Sequence, residues 1–106
     1  MAKYLVQGSY TEDGVKGVIK EGASGRREAV TTAMKAVGAK LESMYFAFGG
    51  SDVFVIFDAP DNVTAASLVL AIAATGTISL ETTVLITVEE MDQATKKVIS
   101  YRGAGH

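Results

Sequence analysis

The stretch FAFGGSDVFVIFDAPD, Phe46 to Asp61, decides the fold. KLESMYFAF (Lys40 to Phe48) and DVFVIFDA (Asp52 to Ala59) are rich in aromatic and β-branched residues, the composition of strands. Only GGS lies between them, so the spacing predicts a β-hairpin. In its plainest reading, Gly49 and Gly50 supply the positive φ of a tight turn, and Ser51 or Asp52 bonds the turn amides. Pro60 ends the second of these strands. Asp61 then caps a helix from about Asn62 to Ala74, which Gly76 stops.

Working outward, KYLVQGSY (Lys3 to Tyr10) is a strand, and Thr11 caps the helix after it. That helix shows one apolar stripe at Val15, Val18 and Ile19 and another at Val30, Ala33, Met34 and Val37. EGASG between them predicts a kink, and Gly38 a stop. TISLETTVLIT (Thr77 to Thr87) is a long strand. TVEE (Thr87 to Glu90) forms a capping box that opens a last helix to about Tyr101, with Met91, Ala94, Val98 and Tyr101 inward. The order is β-α-β-β-α-β plus a C-terminal helix, an α+β chain of the ferredoxin-like, split βαβ kind in a single domain over residues 1–106.

Composition narrows the function classes. Ten basic against twelve acidic residues leave no stripe for nucleic acid or an anionic membrane. The absence of cysteine rules out disulfides and thiolate metal sites, and suits a cytoplasmic protein. The apolar run at the N-terminus is too short for a signal peptide, and AASLVLAIAA (Ala65 to Ala74) is too short to span a bilayer. The single histidine, His106, makes no multi-histidine metal site, interior haem ligand or Ser-His catalytic pair. No cofactor and no metal is therefore expected.

The strands read apolar on both sides. Val53, Val55 and Phe57 oppose Phe54 and Ile56; Tyr4 and Val6 oppose Leu5. Helices cover one face of such a sheet, and the other needs a cover too. A second copy packed sheet to sheet is the expected partner, as a homodimer or a higher homo-oligomer. The alternative is the C-terminal helix folding back over its own sheet.

Several strings resemble the GYD domain family over nearly the full length: KYLVQGSYTEDGVKGVIKEG, RREAV, AVGAKLESMYFAFGGSDVFVIFDAPDNVTAASLVLAIAATG and TTVLITVEEMDQATKKVISYR. The resemblance implies a dimeric α/β barrel. It also marks the hairpin as the family's Gly-Tyr-Asp signature, with Asp52 kept and Ser51 standing where the tyrosine is expected. It implies no particular activity. Relatives of this barrel type range from isomerases, monooxygenases and haem enzymes to plain binding modules.

The candidate site residues follow. Asp52, Tyr45 and Tyr10 form a candidate catalytic set, with Asp52 as base or ligand anchor. Arg26 and Arg27, at a glycine-rich helix restart, together with Ser51, are candidates for holding an anion such as a carboxylate or phosphate. Two functions fit. One is a small-molecule-binding or assembly module without chemistry. The other is a cofactor-independent isomerase or monooxygenase using Asp52, Tyr45, Tyr10 and Arg27 in a pocket between sheet and helices. Whether those four side chains share one pocket decides between them.

Overall fold

A computed structural model describes residues 1–106. The elements run β1 (Ala2–Tyr10), α1 (Glu12–Ala36), β2 (Lys40–Phe46), β3 (Val53–Ala59), α2 (Asn62–Ala73), β4 (Ile78–Leu85) and α3 (Val88–Thr95). The chain is α+β, with four antiparallel strands in the order β2-β3-β1-β4.

Local chemistry sets the boundaries. Thr11 accepts the Gly14 amide at the start of α1, and Asp61 accepts the Thr64 amide at the start of α2. Those bonds hold the Asp61 carboxyl below the ordinary carboxylate value. Thr87 and Glu90 form the expected capping box on α3. Gly38 and Gly76 end α1 and α2 with φ of 72° and 71°. The kink in α1 falls at Gly22, whose φ of 79° and ψ of 164° leave the helical region.

The register fixes two sheet faces. Tyr4 pairs with Phe57 and Val6 with Val55, so these side chains share a face. On β3 the buried positions are Val53, Val55, Phe57 and Ala59, in strict alternation. Tyr4 and Phe57 stack with ring centroids 5.2 Å apart at the bottom of the core. The Tyr4 hydroxyl, which would otherwise be an unpaired polar group, donates to the Asn62 side chain at the start of α2. α1 leans on β2, at one edge of the sheet, and α2 on β4 at the other. The two helices therefore straddle the sheet and leave a gap above its central strands.

The opposite face carries Leu5, Phe54 and Ile56, half-buried and adjacent, with exposed Tyr45 alongside. Its margins are polar: Lys3, Asp58 and Glu42 at one end, Gln7 and Glu81 at the other. This face is thus apolar in its centre and not throughout, as its alternation alone predicts. Lys3 bridges Glu42 and, at 3.1 Å, Asp58; these two bonds hold its ammonium above the ordinary lysine value. Glu42 follows Lys40 by two residues on the face that Lys3 shares, at the point where the β2 register shifts between Leu41 and Ser43.

Three sequence expectations are corrected. β2 stops at Phe46, and the β2–β3 connection runs from Ala47 to Asp52, closed by the Ala47 amide on the Asp52 carbonyl at 2.8 Å. Phe48 is fully exposed, and neither Gly49 nor Gly50 takes positive φ, because a six-residue loop needs no primed turn. α3 ends at Thr95 and not near Tyr101, and buries nothing: Met91, Val98 and Tyr101 are all exposed. It points away from its own sheet, so it does not fold back over the open face. The arm lifts the radius of gyration to 16.9 Å, against about 13 Å for a compact chain of this length.

Candidate functional site

Between the sheet and the two helices lies a cavity of about 420 Å³. Its floor is the centre of the sheet, including Val6, Val53 and Val55; its walls are apolar residues such as Val30 and Met34 of α1 and Leu68 and Ile72 of α2. The gap between the straddling helices produces it. Protein interiors are otherwise close-packed, so an apolar space of this size in so small a chain is a built feature.

Three polar side chains meet at its solvent-reaching end: Tyr10, Glu21 and Arg26. Glu21 and Arg26 are five residues apart, a spacing that does not pair side chains on a regular helix. The Gly22 break redirects the chain between them and brings Arg26 Nη1 to 3.1 Å from Glu21 Oε2. Burial pushes the Tyr10 phenol above its ordinary value, although the neighbouring Arg26 guanidinium opposes the shift. At neutral pH the phenol keeps its proton, so it can donate a hydrogen bond into the cavity.

The sequence-derived residues divide. Tyr10 and Arg26 line the cavity. Arg27 lies on the outer side of α1 in a shallow polar groove with Glu28 and Lys35. Tyr45 is paired with Phe54 on the opposite face of the sheet and is 70% exposed. Ser51 sits in the β2–β3 loop, outside the cavity lining. The Asp52 side chain bonds no turn amide. Its Oδ2 accepts the Tyr10 backbone amide at 2.8 Å, and its own amide donates to the Gly8 carbonyl at 2.7 Å. The aspartate of the hairpin signature thus fastens the loop to the end of β1 and fixes the backbone that carries Tyr10. The four residues of the enzyme reading, Asp52, Tyr45, Tyr10 and Arg27, do not enter one pocket.

Glu21 was not among the sequence candidates. Its signal was present in EGASGRR, since a glycine break brings residues five apart together. No three His, Cys, Asp or Glu side chains gather into a metal-holding cluster.

Asp52 makes a direct prediction. Asp52→Ala leaves the Tyr10 amide without its partner and lowers stability by about 1–3 kcal/mol, while Asp52→Asn, which keeps an acceptor oxygen, loses less. Urea denaturation of both variants checks this.

The site is thus a four-stranded sheet carrying two helices on one face, with an apolar cavity between the layers. The GYD domain model matches residues 4–95 of the 106, and the chain belongs to the GYD domain family. No curated protein and no solved structure matches it. No helix is long and apolar enough to cross a membrane.

Proposed function

We propose that this protein is a homodimeric small-molecule-binding module, a ferredoxin-like half of a dimeric α/β barrel, acting in the cytoplasm. The observation that carries it is the apolar cavity of about 420 Å³ with one converging polar end. The strand order β2-β3-β1-β4, with both long helices on one face, supports the ferredoxin-like assignment.

Surface area supports the partner. The chain exposes 7507 Å², where a compact monomer of 11.1 kDa exposes about 5,700 Å². The excess, about 1,800 Å², is of the order that one subunit buries in an obligate interface. Leu5, Phe54 and Ile56 on the open face, and Val88 and Met91 on the projecting α3, are the apolar surface that a second copy would cover. An enzymatic reading has less support, because its residues do not share one pocket: Tyr45 lies on the opposite sheet face, and Asp52 and Arg27 lie outside the cavity lining.

1-Aminoanthracene, a small neutral dye whose emission rises and moves to the blue in apolar surroundings, tests the cavity. The protein is expected to bind it saturably with a blue shift. Ala33→Phe, which puts a ring into the cavity from α1, is expected to abolish binding while the fold is kept. Equal binding by a folded Ala33→Phe protein would contradict the proposal.

A further inference from the structure

We infer that the cavity is built for a monocarboxylic acid with an apolar body, whose carboxylate is received by Arg26 and the Tyr10 hydroxyl at the open end. The inference rests on the small-molecule reading of the same cavity. Its volume, about 420 Å³, admits on the order of ten to fifteen non-hydrogen atoms. Most of the lining is apolar, which suits an alkyl or aryl body better than a sugar or nucleotide, whose many polar groups would find partners only at Tyr10, Glu21, Arg26, Thr75 and Thr77. The polar end is specific. Arg26 is the one cationic side chain on the wall, and its planar fork matches a carboxylate. The Tyr10 phenol beside it adds a neutral donor, and burial keeps its proton in place.

Glu21 occupies the guanidinium and stands in for the acid. The two side chains are part-exposed, at 47% and 30%, and pairs of that kind are weak. A ligand carboxylate can therefore replace Glu21, which swings out toward solvent on the N-terminal side of the Gly22 break. Gly22 has open space where a side chain would stand, so nothing packs there to hold the kink rigid. Release of Glu21 is the act that admits the ligand, and the same contact selects against a neutral head group, which cannot compete for the arginine.

The test is calorimetric titration of the full chain with decanoate below its micelle concentration, against 1-decanol and decylammonium as probes of equal length. Decanoate is expected to bind tightest, with decanol weaker by on the order of tenfold or more. Arg26→Gln should bring decanoate down to the decanol level and leave decanol unchanged. Glu21→Gln, which frees the arginine, should tighten decanoate by a few-fold. Thermal melts of both variants check that they are folded; both positions are part-exposed, so they tolerate substitution. Equal binding of decanoate and decanol, or an Arg26→Gln protein that holds decanoate as well as before, would overturn the inference and leave the binding module standing. Preference for decylammonium would overturn it in favour of Glu21 as the reader of a cationic head. Failure of all three probes to bind would remove the binding module itself.

Discussion

Ile56→Asp is expected to turn the proposed dimer, about 22 kDa or twice the 11.1 kDa of one chain, into a monomer. Ile56 lies at the centre of the open face, across from Leu5 on β1 and two residues along β3 from Phe54. In a sheet-to-sheet dimer a carboxylate there is buried without a partner in both subunits. Each costs about 3 kcal/mol or more, so the dissociation constant rises on the order of 10,000-fold. Within one chain the same side chain is only half-buried and reaches water, so the monomer keeps its secondary structure. Sedimentation velocity reads the mass, and circular dichroism the fold. A dimeric Ile56→Asp protein would contradict assembly through this face.

Gly14→Ala is expected to be the most damaging single methyl in the chain. Gly14 lies in the first turn of α1, where that helix crosses the α2–β4 connection. A Cβ there would stand 1.9 Å from the Thr77 carbonyl oxygen and 2.9 Å from Tyr10 Cδ1. The carbonyl cannot yield, because it already accepts the Thr11 amide at 2.9 Å. Relief requires α1 to lift from the sheet, which opens the cavity wall and moves Tyr10. The cost is about 3 kcal/mol or more, a melting-temperature drop on the order of 15 °C in a domain of this size. Gly17→Ala, one turn on, meets nothing within 4 Å and removes a helix-weakening glycine, so it is expected to raise stability by up to about 1 kcal/mol. Equal melting temperatures for the two variants would show that the close approach at Thr77 is not a constraint.

Much of the architecture was legible because local chemistry and tertiary packing agree. Caps at Thr11, Asp61 and Thr87, stops at Gly38 and Gly76, and alternation along β3 each name their element from local residues alone. The failures share a cause: long-range contacts decide them. Phe48 carries strand chemistry, but β3 begins pairing only at Val53 opposite Phe46, so the two residues beyond have no partner strand. Asp52 looks like turn chemistry, yet its ligand is an amide 42 residues away. Val98 and Tyr101 continue the apolar spacing of α3, but with no surface to bury against, the helix ends early and its propensity does not prolong it.

The site was half legible. Tyr10 and Arg26 follow from a strand end and a glycine-rich helix restart, and both reach the cavity. Tyr45 and Arg27 failed through parity. Tyr45 falls on the wrong side of a two-residue alternation, and Arg27 one helical step beyond the inward face. Neither phase is set by the residue itself; the register of β2 on β3 and the turn at Gly22 set them.

Methyl-resolved NMR during titration with 1-decanol tests most directly whether the space between sheet and helices receives a small molecule. The methyl signals of Val53, Val55, Leu68 and Ile72, which line the cavity, are predicted to shift saturably, while those of Leu5 and Ile56 on the opposite face stay in place. Shifts confined to Leu5 and Ile56, or none at all, would contradict binding in that space.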